Sequence, residues 1–342
     1  MATLLIKKFG PIESCEIDCS RFMVLTGFQA SGKSTIAKAF FFFRTIKDDV
    51  CALAEERTIE ELSSGKKNGR PFAAHLISNL RQKFLRIFGL AWAFDDEMQL
   101  KYCYSDKTWI KTTLRQKRNE TDDYLRIIDF AFSEDIKEQF RSIEKKLFAD
   151  KLGIAQTAKQ ELAKQVQELF ADHDEVVYIP AGRSMLTLLS EQLFYIYSTM
   201  KDAQKRALDY CTQKYIEKIL EIKSEFSNGL QGLVEYDGIN EKVSSEVVSF
   251  ALDLVQKVLR GNYVNSNGED RIQINGDQYI KINYASSGQQ ESVWILNLLV
   301  YYLLNQTPVL FIIEEPESHL FPESQKYIRG RHDRCDHACH QA

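Results

Sequence analysis

The residues Gly27-Phe28-Gln29-Ala30-Ser31-Gly32-Lys33-Ser34-Thr35 match the phosphate-loop pattern G-x-x-x-x-G-K-[ST] without a mismatch. Gly27 and Gly32 permit the tight turn that brings backbone N–H groups close to phosphate oxygens. Lys33 is the candidate to reach the β- and γ-phosphates, and the Ser34 hydroxyl is the candidate ligand for Mg²⁺. Far along the chain, Pro308-Val309-Leu310-Phe311-Ile312-Ile313 is an apolar run ending on Glu314-Glu315-Pro316. Two adjacent carboxylates repel one another unless a cation or positive groups lie near. Mg²⁺ supplies that cation, which assigns Glu314 to the metal's shell, through water, and Glu315 as the base that polarises the attacking water. A solvated acidic turn before Pro316 is the bland alternative, and the upstream phosphate loop argues against it. The two motifs together imply a Mg-nucleotide hydrolase whose site is assembled from both ends of the sequence.

Such a site requires particular elements around it. Phe22 to Thr26 reads as a short strand entering the loop, and Ser34 to Phe43 as the helix leaving it, with Ala37, Ala39 and Phe40 inward. Val309 to Ile313 is continuously apolar, as expected of a central parallel strand covered on both faces. Tyr284-Ala285-Ser286-Ser287-Gly288-Gln289-Gln290-Glu291 precedes a long apolar helix, Val293 to Leu304. Ser287 and Gly288 fall where a helix begins, so their N–H groups are suited to a γ-phosphate. An ordinary cap, Ser287 with Gln290 three residues on, is the competing role, and both can hold at once.

The order of glycine-serine segment, apolar helix and acidic strand resembles the signature and Walker B motifs of ATP-binding-cassette-type ATPases. The wording Glu314-Glu315-Pro316-Glu317-Ser318-His319-Leu320-Phe321-Pro322 is most similar to the RecF-like and OLD-like bacterial AAA-type ATPases. The opening Leu5-Ile6-Lys7-Lys8-Phe9-Gly10-Pro11-Ile12 resembles their first strand and turn, and Tyr178-Ile179-Pro180-Ala181-Gly182-Arg183-Ser184 a segment from mid-chain. The resemblance implies an α/β fold, an ABC-type P-loop NTPase core with a mixed sheet and an inserted helical lobe. It implies ATP and Mg²⁺ as ligands, with Gly27 to Thr35 of one subunit and Ser287, Gly288 and Gln289 of another closing on ATP, hence an ATP-dependent dimer. Two departures stand out. Glu314 occupies a position where many relatives carry Asp. Relatives also continue to a strand bearing a switch histidine, whereas the residues from Arg329 to Ala342 lose all apolar periodicity. That tail reads as disordered, from a frameshift or truncation, and hydrolysis is then expected to be weak. Its cluster of Cys335, His337, Cys339 and His340 fits no standard zinc spacing.

Length and composition set wider bounds. The 342 residues suffice for one large α/β domain with an insertion, and a net charge of −4 gives no case for nucleic-acid binding by the whole surface. The seven cysteines show no paired pattern, the N-terminus is no signal peptide, and Phe40 to Phe43 is too short to span a membrane. The expectation is a cytoplasmic, reduced protein with no membrane association. Residues 1–50, 175–184 and 262–328 read as nucleotide-binding core, 51–174 and 185–261 as the inserted strand-and-helix lobe, and 329–342 as tail. Within the lobe, Phe72 to Leu90 has helical spacing, Glu97–Tyr104 and Thr108–Leu114 form a strand pair, and Glu134 to Asp172 is mostly helical. Asn275-Gly276 marks a hairpin leading into the signature segment. Arg183, at the exit of a strand Glu175 to Ile179, is open to three roles: phosphate contact, subunit contact or a solvated turn residue. Lys145, Lys146, Lys151, Lys159 and Lys164 are the one candidate basic patch, and interspersed acids favour a solvated face. No nuclease, toprim or protease constellation is visible, so effector chemistry is assigned to a separate protein. The reading is an ATP switch in bacterial anti-phage defence or DNA repair; the alternative is an ATP-binding scaffold with little turnover.

Overall fold

A computed structural model describes residues 2–64, 69–89, 94–118, 124–149, 156–235, 243–276 and 278–318. The chain divides into two compact units, Met1–Val176 and Val177–Ala342.

The first unit opens with strands β1 (Thr3–Phe9) and β2 (Ile12–Asp18), joined at Gly10-Pro11, and continues into helices α1 (Lys33–Arg44), α2 (Ile46–Ser64) and α3 (Phe72–Phe88). Strands β3 (Gln99–Cys103), β4 (Trp109–Arg118) and β5 (Tyr124–Phe132) follow, then helices α4 (Glu134–Ala149) and α5 (Gln156–Phe170). The five strands form one antiparallel sheet in the order β2-β1-β3-β4-β5. Alternation along β1, β3, β4 and β5 places Leu4, Ile6, Leu100, Tyr102, Ile110, Ile128 and Phe130 in the core. Phe40, Phe41, Phe42 and Phe43 are all buried, so the end of α1 is enclosed on every side. Phe42 meets Phe84 edge-on at 5.3 Å between ring centroids, and Phe43 stacks on Tyr102 at 5.6 Å. Fully burying one such ring is worth roughly 1.5–3 kcal/mol, so this run anchors the helix that carries the phosphate loop. Its last residue, Arg44, donates to both Asp172 and Asp174, and Lys47 joins Asp172 at 2.8 Å.

The strand pair read from residues 97–114 is present as β3 and β4. The strand expected over Phe22 to Thr26 is not. Both edges of β1 are already taken by β2 and β3, and the segment joins no ladder. Phe22 and Val24 are left 53% and 67% exposed, which shows that apolar sequence without a strand partner did not make a strand here.

Strand β6 (Glu175–Ile179) runs from the first unit into the second. The second unit continues with α6 (Ser184–Leu188), α7 (Ser190–Thr199), α8 (Asp202–Ala207), α9 (Tyr210–Ile222), α10 (Gly229–Glu235) and α11 (Ser245–Leu259). Strands β7 (Asn262–Ser266), β8 (Glu269–Asn275) and β9 (Gln278–Lys281) form an antiparallel sheet, and α12 (Ser287–Asn305) leads to β10 (Val309–Ile313). Helix α12 is the centre of this core. Every residue from Gln290 to Leu298 is buried, which explains an apolar sequence without an amphipathic stripe. It begins at Ser287, where the sequence places a helix start, ahead of the apolar stretch Val293 to Leu304. Strand β10 pairs with β6, and all five of its residues are half-buried. The expectation of a strand covered on both faces is therefore corrected: among the described residues it has one neighbour, and a strand in a two-stranded sheet cannot be enclosed as a central strand is. His319 to Ala342, including the Cys/His tail, and Lys151 lie outside the described residues.

Candidate functional site

The phosphate loop closes on itself through Lys33. Its ammonium donates to the carbonyls of Gly27 at 2.8 Å and Phe28 at 2.7 Å. Ser31 N donates to Phe28 O at 3.3 Å, and Ala30 sits in the left-handed region at φ +59°. Gly32, at φ +96°, is the residue before α1. A Cβ there would lie 2.7 Å from Ile12 Cγ1 and 3.3 Å from Pro11 Cγ, so the turn between β1 and β2 packs directly on the loop. The first bond inside α1 runs from Ile36 N to Gly32 O at 2.9 Å. The N–H groups of Lys33, Ser34 and Thr35 therefore lie ahead of the helix's own bonds, and among the described residues no side chain caps this end. Residues Gly27, Phe28, Gln29, Ala30, Ser31 and Ser34 are exposed, Phe28 at 92%. Free N–H groups, a helix N-terminus and a lysine on one short loop form a receptor for phosphate oxygens.

The acidic turn lies in the second unit. Glu314 N donates to Ile179 O at 3.0 Å, which ties the end of β10 to the end of β6. The Glu314 carboxylate accepts from Ala181 N through Oε2 at 3.3 Å. Its Oε1 is buried near the Tyr178 phenol and makes no hydrogen bond of ordinary geometry among the described residues. Burial, and then the negative charge of Glu314, push the neighbouring Tyr178 phenol far above its ordinary pKa. A buried carboxylate oxygen with the Tyr178 hydroxyl as its polar neighbour keeps lone-pair capacity for a cation, which fits the Mg²⁺ reading. Glu315 is exposed, and its backbone occupies the left-handed region at φ +44°, which is strained for a residue with a side chain. Ser318 Oγ donates to its Oε2 at 3.0 Å.

Arg183 holds this turn from behind. It is 1% exposed. Nη1 donates to Pro180 O at 2.9 Å and Glu314 O at 2.8 Å, and Nη2 to Glu315 O at 3.0 Å. Nε donates to Glu291 O at 2.9 Å and lies 3.3 Å from the Glu291 carboxylate. Burial pulls the guanidinium below its usual pKa, and the surrounding carboxylates partly offset this. Of the three roles open to Arg183 in the sequence, the solvated turn is excluded. All the contacts above are internal, with no surface left for phosphate.

Ser287 and Gly288 occupy the first turn of α12, as expected, and Ser287 is exposed. The cap itself is Ser286 with Gln289, one residue before the expected pair. Ser286 Oγ accepts from Gln289 N at 3.3 Å, and the Gln289 side chain accepts from Ser286 N at 2.9 Å. Gln289 Nε2 also donates to Leu259 O at 2.7 Å, so this side chain is committed to the cap. Gln290, expected to cap, is buried and donates to the carbonyls of Ile282 and Ala285. Tyr284, just ahead, is 81% exposed.

A glycine-lysine loop opening a helix, and an acidic turn at the end of a strand, define the class of P-loop nucleoside triphosphatases. Within that class, the chain matches the AAA ATPase domain family over residues 1–330, and it belongs to that family. No curated protein and no solved structure matches it. Membership makes this an α/β AAA-type ATPase that binds and hydrolyses nucleotide, and it implies ATP with Mg²⁺. Among the described residues, no helix is long and apolar enough to cross a membrane.

Proposed function

We propose that the protein is an ATP-driven switch of the RecF-like or OLD-like kind, which dimerises on ATP and resets on hydrolysis. The observation that carries the reading is the phosphate loop with its unbonded N–H groups and with Lys33 on the loop's own carbonyls. On binding ATP, Lys33 leaves Gly27 O and Phe28 O for the β- and γ-phosphates, and the N–H groups of Gly32, Lys33, Ser34 and Thr35 take phosphate oxygens. Gln29, Ala30 and Ser31 complete the loop. Ser34 and Glu314 hold Mg²⁺, which neutralises phosphate charge when bound. Glu315 polarises the attacking water. Ser287 and Gly288 of a second subunit supply hydroxyl and N–H donors to the γ-phosphate. Gln289 contributes by fixing the cap, a role narrower than direct ATP contact. In this reading residues 1–50, 175–184 and 262–328 make up the nucleotide core.

A separate effector protein then reads the ATP state, in bacterial anti-phage defence or DNA repair, within the cytoplasm. Direct DNA binding is not favoured. Lys159 pairs with Glu55 at 2.9 Å and Lys146 with Gln165 at 2.8 Å, which supports a solvated, internally paired face. The second reading, an ATP-binding scaffold with little turnover, draws on Glu315, whose strained backbone needs external support to stay in register. Glu315→Gln separates the two. The switch loses turnover and keeps its ATP-dependent dimers, whereas the scaffold shows no change in an already negligible rate.

A further inference from the structure

We propose that Arg183 is the positioning residue of the acidic turn, and that through Glu291 it couples Glu314 and Glu315 to the first turns of α12. The inference rests on the reading of Glu315 as the base. The geometry is that of a clamp. One guanidinium fork donates to the Pro180 carbonyl at the exit of β6 and to the Glu314 and Glu315 carbonyls of the acidic turn on one side, and to Glu291 O on the other. Glu291 is 1% exposed, and its carboxylate accepts from Ser184 N at 3.2 Å besides pairing with Arg183. Thr187 Oγ1 donates to Gln290 O at 2.9 Å, so α6 is pinned to α12 one residue away. A displacement at the start of α12 must therefore move Arg183 or break bonds to a buried charge, and breaking them is costly in a low dielectric. Glu315 is where such a displacement is felt. Its φ of +44° persists only while its surroundings hold it, and its carbonyl is held by Arg183. A guanidinium suits this role because its donors are fixed in one plane, whereas a lysine ammonium is a mobile point charge. Seating of ATP on Ser287 and Gly288 would thus be registered at Glu315 from inside the same unit.

The test compares the full-length wild type with Arg183→Lys and Glu291→Gln, by Mg-ATP turnover and by backbone hydrogen exchange. In Arg183→Lys, kcat should fall about tenfold to a hundredfold, while KM stays within about twofold, as expected when a reacting group is displaced by roughly 1 Å. Exchange should quicken at residues 314–318 and in the first turn of α12, while the β7–β8 hairpin stays protected and reports an intact fold. Glu291→Gln, which keeps the size and removes the charge, should lower kcat in the same direction by a smaller factor. A raised KM at unchanged kcat, or unchanged kcat and exchange, overturns the proposal. Should Arg183→Lys not fold, Glu291→Gln carries the test, and an undiminished kcat there overturns it. Should the wild type show no turnover dependent on Lys33, the ATPase reading fails separately. Exchange at residues 314–318 then decides the clamp by itself: protection unchanged by Arg183→Lys refutes it.

Discussion

Lys33 bonded to its own loop carbonyls holds a charge ready for phosphate, and removing it removes a charge-assisted contact. Lys33→Ala is expected to weaken ATP binding roughly tenfold to a hundredfold, the equivalent of a lost hydrogen bond to a charged group. Titration with a fluorescent ATP analogue measures this directly. Glu315→Gln keeps the shape of the acidic turn and its contact from Ser318, but removes the carboxylate proposed as the base. Turnover should drop by about 10²- to 10⁴-fold with ATP affinity retained. Equal turnover in both proteins would place the base elsewhere. At this scale the sequence was most informative: the phosphate-loop residues and the acidic pair are contiguous, and chemistry alone restricts what such groups can do. Arg183 was less legible. A lone charge after a strand leaves phosphate contact, subunit contact and a solvated turn equally open, and its partners Glu291, Glu314 and Glu315 are more than a hundred residues away. Only the fold makes it a buried clamp.

Elements position these residues through a few close approaches. Gly32→Ala would put a Cβ 2.7 Å from Ile12 at a backbone φ of +96°. A loss of about 1–3 kcal/mol is expected from the strained conformation, visible as a lower Tm, and the loop would distort along with it. Ser286→Ala should cost about 1 kcal/mol by removing the cap of α12, measurable by denaturant unfolding, whereas Ser287→Ala should leave stability nearly unchanged. The reverse order would restore the Ser287 cap. The sequence Ser286-Ser287-Gly288-Gln289-Gln290 contains two overlapping S-x-x-Q boxes, so its pattern could not choose between registers. The structure chooses the first because Gln290 turns inward to bond the carbonyls of Ile282 and Ala285. The β8–β9 hairpin was legible from Asn275-Gly276. The β7–β8 hairpin carries the same signal at Asn267-Gly268, where both residues have positive φ, but β7 itself, Asn262 to Ser266, is short and polar and does not read as a strand. Phe22 to Thr26 has the composition of a strand but joins no ladder, because composition does not supply a neighbour to pair with.

For the molecule as a whole, each compact unit carries one set of the groups proposed to act in ATP hydrolysis. The phosphate loop belongs to residues 1–176, and the acidic turn and the serine cap of α12 to residues 177–342. With a net charge of −4 and lysines engaged by nearby acids and amides, binding to duplex DNA should be negligible near physiological salt. A gel-shift titration over salt concentration checks this, and tight binding with a steep salt slope would contradict it. The central claim is that ATP held by the phosphate loop drives assembly and is then hydrolysed. It is tested most directly by measuring ATP turnover together with mass-resolved oligomeric state, with and without Mg-ATP, in wild type and Lys33→Ala. The account predicts turnover and an ATP-dependent dimer in the wild type, with both lost in Lys33→Ala. An oligomeric state indifferent to ATP, or turnover that survives the loss of Lys33, would contradict it.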